Sequence, residues 1–164
     1  IPLRLVGSEM CIRDRTNLLS NITVSNGIAF SQNENIMYFA DTPTGLIRKF
    51  EFTHDFKKLQ ELESNMTFKD VGEPDGATVD INNNYWSARV RGKCIICINT
   101  KNGKIIEKIE LPTNTPTCVT FGDTDLSSLY VTSLRADPVN DAAGGNLHKI
   151  KTETKGFKQL LTDI

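Results

Sequence analysis

The stretch that decides the fold is residues 73–111, "EPDGATVDINNNYWSARVRGKCIICINTKNGKIIEKIEL". It divides into four short extended runs, "PDGATVDI", "YWSARV", "CIICI" and "IIEKIEL", separated by "NNN", "RGK" and "NTKNGK". The runs are rich in β-branched and aromatic residues, and the spacers are turn-formers. Asn102-Gly103 between two such runs is a strong hairpin signal, because both residues tolerate the positive φ a tight turn needs. The pair Cys94 and Cys97 in "CIIC" has the spacing of a zinc or redox motif. On a strand, however, positions three apart point to opposite faces, so the two sulfurs could not share an ion. They are expected to be buried, reduced thiols packing as small hydrophobes.

The same pattern extends outward in both directions. "GIAFS", "IMYFA" and "LIRKFEF" precede this stretch, and "TCVTF", "LYVTSL" and "NLHKI" follow it. The segment "HDFKKLQELESNM" (54–66) breaks the alternation, and reads as a polar connection or, as the alternative, a short surface helix. The runs recur in groups that begin "SNG", "PDG" and "PTC", so Asn26, Asp75 and Thr117 stand 49 and 42 residues apart. Roughly four short strands every 40–50 residues is the signature of a propeller blade. The expectation is an all-β fold, a partial β-propeller of about three four-stranded blades.

Composition excludes several classes. The chain has 164 residues, 38% hydrophobic and 24% charged, with a net charge of −1. That balance gives no electrostatic footprint for nucleic acid or an anionic membrane. No apolar run approaches the ~20 residues of a membrane helix. With four cysteines and no disulfide framework, a reducing cytoplasmic setting is favoured. Residues 1–15, "IPLRLVGSEMCIRDR", lack the period of the rest and resemble a translated sequencing-adapter artefact. They read as a non-native leader, and residues 16–164 as the domain.

The repeated position is the candidate site. Equivalent positions of successive blades face a common channel, so polar side chains there converge. Asn26 and Asp75 offer hard oxygen donors suited to calcium, magnesium or manganese, with zinc also compatible. Asn-Gly and Asp-Gly are equally common turn dipeptides. From spacing alone, a metal site and plain turn chemistry both stay open.

"VSNGIAFS", "MYFADTPTGLIRKFEF", "EPDGATVDINNNYWSARV", "TCVTFGDTDLSSLYVTS" and "AGGNLHKI" together resemble the SMP-30/gluconolactonase/regucalcin family, in order and spacing. The resemblance implies that residues 16–164 are the C-terminal half of a six-bladed propeller. It implies a divalent-metal-dependent hydrolase of sugar lactones. It places metal-ligand roles on Asn26 and Asp75 and the general acid/base role on Asp75. The family's third ligand, a glutamate near its N-terminus, has no counterpart in this chain. Nor do the arginine and asparagine that hold substrate. The chain alone is therefore expected to be inactive. Alternatives are an esterase or phosphoesterase on the same metal site, and a non-enzymatic propeller that binds calcium or a protein partner.

Asp41, closing "YFAD", is a candidate substrate-side residue, with a turn cap as its other reading. Trp86 reads as blade packing. Arg89 and Arg135 follow strand ends and are expected to be solvated. His54 and His148 lack a ligand-spaced partner, so neither is given a role.

Overall fold

The structure is a computed structural model and describes residues 16–32, 35–52 and 58–158. Those residues form eleven strands in three antiparallel sheets, each strand pairing with its neighbour in sequence. The first sheet holds β1 (Ser25–Phe30), β2 (Ile36–Asp41), β3 (Leu46–Phe52) and β4 (Leu59–Thr67). The second, formed by the stretch quoted first, holds β5 (Glu73–Val79), β6 (Tyr85–Val90), β7 (Cys94–Ile98) and β8 (Ile105–Glu110). The third holds β9 (Pro116–Gly122), β10 (Ser128–Ser133) and β11 (His148–Lys151). Single 3-10 turns at Thr42–Thr44 and Lys69–Val71 complete the regular structure. The sheets stack through their first strands, β1 against β5 and β5 against β9, which is blade packing in a partial β-propeller.

Central strands explain the apolar runs. Every residue of β2 and of β7 is buried: β7 lies between two sheets, and the outer face of β2 is covered by Leu19 and Ile22 of the segment before β1. The outer strand β8 is exposed or half-buried throughout. One core cluster lies between the first two sheets and is built on Tyr38, Ile47, Tyr85 and Ile96. A second lies between the second and third sheets, on Trp86, Ile95, Val119 and Leu129. Each buried side chain of this size contributes about 1.5–3 kcal/mol. Aromatic pairs bind blade to blade: Tyr38 and Tyr85 at 5.4 Å between centroids, Trp86 and Phe121 at 5.9 Å edge to face. Cys94 sits in the first cluster and Cys97 in the second, so the pair faces opposite ways.

Two expectations are corrected. Residues 59–67 are neither a polar connection nor a helix but the outer strand β4, while 54–57 lie outside the described residues. Ile47 pairs with Met66, and Lys49, two residues on, pairs with Leu62, four residues back. The bulge this requires puts Leu59, Leu62 and Met66 at uneven intervals and hides the period of two. Leu62 then packs on the first cluster and Leu59 on the opposite face of the sheet. Arg89 is not solvated: it is 0% exposed. One Nη donates to the carbonyls of Phe68 (2.8 Å) and Gly72 (2.5 Å), holding the chain that leads into β5. Burial lowers its pKa to about 10. An arginine directly after an alternating run reads as a strand end, but Arg89 still belongs to β6 and continues the inward face of Tyr85 and Ser87.

Candidate functional site

Each inner strand carries a bulge where the three sequence repeats begin. On β1 it falls between Asn26 and Ala29, on β5 between Pro74 and Ala77, and on β9 at Thr117. A bulge bends its strand and re-aims the side chains beside it. The glycines of "SNG" and "PDG" then let the inner strands meet. Gly27 has φ +62°, and a Cβ added to it would crowd the Tyr85 hydroxyl and stand 3.4 Å from the Asp75 carbonyl oxygen. A Cβ on Gly76 would lie 2.8 Å from Cys118 Cα. The two candidate ligands therefore stand on adjacent strands in close backbone approach.

Asn26 is held by its amide nitrogen. Its Nδ2 donates to Thr42 Oγ1 at 2.8 Å, and Thr42 Oγ1 donates to the Pro74 carbonyl at 2.9 Å. Beneath it, Tyr85 OH donates to the Gly27 carbonyl at 2.6 Å. Burial pushes the ionisation of that phenol well up, so it stays a donor. Asp75 is half-buried, and burial raises its carboxyl above the ordinary value, with the Gly76 amide pulling the other way. Among the described residues, no lysine or arginine forms an ion pair with it. Cys118 is exposed, and the partial desolvation of its thiol and the negative charge of Asp75 both raise its pKa.

A half-desolvated carboxylate without a protein cation, next to a side-chain amide, fits a hard divalent cation. The fit covers only part of a coordination shell. Among the described residues no group of three or more acid, histidine or cysteine side chains could hold a metal. Ser25, Asn26, Gly76 and Cys118 share the wall of a cavity of about 270 Å³ with the apolar side chains Ile28 and Phe39. A larger cavity, of about 440 Å³, lies under residues 18–22 and has no titratable side chain on its wall.

The other candidates fall elsewhere. Asp41 is 6% exposed. Its oxygens accept the backbone amides of Val24 (2.8 Å) and Thr23 (3.1 Å), and those bonds lower its pKa. They anchor the segment entering β1. Trp86 is buried and donates its indole N–H to Asp80 at 3.1 Å. Arg135 is exposed, and His54 lies outside the described residues. Sequence reasoning missed Thr42, Tyr85 and Cys118 as site neighbours. Nothing in "DTPTG" marks Thr42, because its partners lie 16 and 32 residues away.

Comparison with known proteins follows the same lines. A 6-deoxy-6-sulfogluconolactonase of Pseudomonas putida is 34% identical over 119 residues, 72% of this chain and 40% of that protein. A pentonolactonase of Haloferax volcanii is 29% identical over 159 residues, 91% of this chain and 54% of that protein. A solved structure described as a calcium-binding protein, regucalcin, from Agrobacterium tumefaciens superposes with a TM-score of 0.80 at 25% identity, covering 91% of this chain and 52% of that one. The chain spans about half the length of the curated relatives it matches. The profile of the family described as SMP-30/Gluconolactonase/LRE-like region matches residues 10–135, and the chain belongs to that family.

Proposed function

We propose that this chain supplies three blades of a six-bladed, divalent-metal-dependent hydrolase of sugar lactones. In this reading residues 16–164 form the propeller half that holds Asn26 and Asp75. The observation that carries it is the half-buried Asp75 carboxylate, without a cationic partner among the described residues, on the strand that closely approaches that of Asn26 at a repeated blade position. The names of relatives that act on gluconolactone- and pentonolactone-type substrates support the substrate class.

When bound, the cation would polarise the lactone carbonyl and stabilise the developing oxyanion. Asn26 and Asp75 contribute two of the oxygens that would hold it. One Asp75 oxygen remains to accept a proton from water as that water attacks the carbonyl carbon. The ring C–O bond then breaks, and Asp75 returns the proton to the departing ring oxygen, giving the open hydroxy acid. Burial raises the Asp75 carboxyl in the cation-free chain, and a bound cation opposes that shift. The remaining cation ligands and the substrate-binding groups fall to the other blades, so these three alone do not turn over.

A second reading, a propeller that binds calcium without catalysis, is favoured by the calcium-binding description of the Agrobacterium relative. The complete protein, assayed on gluconolactone with calcium, zinc, manganese or magnesium and after exhaustive chelation, separates the two. Turnover that vanishes on chelation and returns with one of these ions supports the hydrolase. Cation binding without turnover supports the scaffold. Turnover that survives chelation removes the cation from the reaction.

A further inference from the structure

We propose that Thr42 is a positioning residue that sets the orientation of Asn26 and ties it to the backbone beside Asp75, so that both present oxygen to one cation. This rests on the reading of Asn26 and Asp75 as a cation site. Thr42 opens the 3-10 turn that follows β2, and its hydroxyl spans two sheets. Toward the second sheet it meets the carbonyl of Pro74, the residue before Asp75, at 2.9 Å. A carbonyl oxygen can only accept, so the hydroxyl hydrogen is committed there. Toward its own sheet Oγ1 meets Asn26 at 2.8 Å, and with its hydrogen spent it can only accept. The atom of Asn26 facing Thr42 must therefore be the NH2 group. This turns the Asn26 oxygen away from Thr42, where no protein donor takes it among the described residues. A side-chain amide otherwise has two nearly isosteric orientations, one presenting oxygen and one presenting N–H. Only the first can ligate a cation.

Three further contacts hold the bridge. Thr42 N–H donates to the Val24 carbonyl at 3.1 Å, so the turn is fixed to the chain entering β1. The preceding residue, Asp41, fixes the same chain through the amides of Thr23 and Val24. The Thr44 hydroxyl donates to the Asp41 carbonyl at 2.7 Å and closes the turn on itself. Asp41 thus acts on the site through Thr42 rather than by facing it.

The test is a Mn2+ titration of the complete protein, with all its blades, read by water-proton relaxation, with side-chain amide NMR of the cation-free protein. Thr42→Val keeps the shape and removes the hydroxyl; Thr42→Ser keeps the hydroxyl. Outer-shell partners of a metal ligand typically contribute about 10–100-fold in affinity. Thr42→Val is expected to weaken Mn2+ binding by at least about tenfold, and Thr42→Ser to stay within about threefold of the wild type. In the cation-free chain the Asn26 NH2 resonances should shift in Thr42→Val and return in Thr42→Ser. Both variants should keep the wild-type circular dichroism, so a general loss of fold would be seen. Wild-type Mn2+ affinity in Thr42→Val overturns the inference and leaves the cation site standing. A complete wild-type protein that does not bind Mn2+ while its Asn26 resonances still respond to Thr42→Val overturns the cation reading itself, and this role with it.

Discussion

At the residue scale, Asp75 and Asn26 were legible because a repeat is legible. Two polar residues before two glycines, one blade apart, stand out without any coordinates. The glycines admit a second reading that spacing could not supply. Gly76 is needed less for a turn than for the approach of β5 to Cys118 on β9. Thr42 was illegible because its meaning lies in two hydrogen bonds across the chain, not in a motif. In the complete protein, Asp75→Asn should lower lactone turnover at least about 100-fold, the lower bound for losing a positioned acid/base. With divalent cations removed by chelation, it should not lower the melting temperature. Burial raises the Asp75 pKa, so near neutral pH its ionised form carries a desolvation penalty in the folded state. A neutral amide removes that penalty. Turnover with the cation present and a thermal melt in chelator decide this; a melt that drops in chelator would make Asp75 structural.

At the element scale, alternation predicted ten of the eleven strands and failed at β4, where a bulge spoils the period. The misread Arg89 has the same origin, since pattern shows where a strand runs but not which of its ends is covered. Turns at strand ends are held by acids that sequence treats as generic loop residues. Asp80 accepts the amides of Asn82 (2.8 Å) and Asn84 (2.9 Å), shaping the "DINNN" turn between β5 and β6. Asp123 clamps the third sheet, accepting from Lys149 Nζ (2.8 Å), Ser128 Oγ (2.6 Å) and Tyr130 OH (2.7 Å). Those bonds hold its pKa well below the ordinary 3.8. With the folded pKa depressed, its stabilisation is fully present above pH 3.8 and is lost as pH falls through the folded value. Asp123→Asn should therefore be less stable than the wild type at neutral pH, with the gap narrowing as pH drops below 3.8. Urea unfolding at a series of pH values measures this. A gap that stays constant into acid would show that the clamp owes nothing to the carboxylate charge.

At the scale of the whole molecule, the question is whether three stacked sheets behave as one unit. Repeat architectures draw stability from each unit and from the interfaces between neighbours. Here the interfaces are well filled: Tyr85 and Tyr38 join the first and second sheets, Trp86 and Phe121 the second and third. Tyr85 also donates its buried hydroxyl to Gly27 on β1, 58 residues away, directly behind Asn26. Tyr85→Phe leaves the Gly27 carbonyl without that donor and should cost about 1–3 kcal/mol. The chain has a single tryptophan. Trp86 lies in the cluster between the second and third sheets, on the opposite face of β6 from Tyr85, so its fluorescence reports the far interface. Far-UV circular dichroism reports all three sheets together. If the blades unfold as one cooperative unit, Tyr85→Phe moves both denaturation midpoints equally. A shift in circular dichroism with an unmoved fluorescence midpoint would mean that the first sheet melts alone. In that case the blade carrying Asn26 could detach from the one carrying Asp75, and cation binding, by requiring both, would raise the first midpoint selectively.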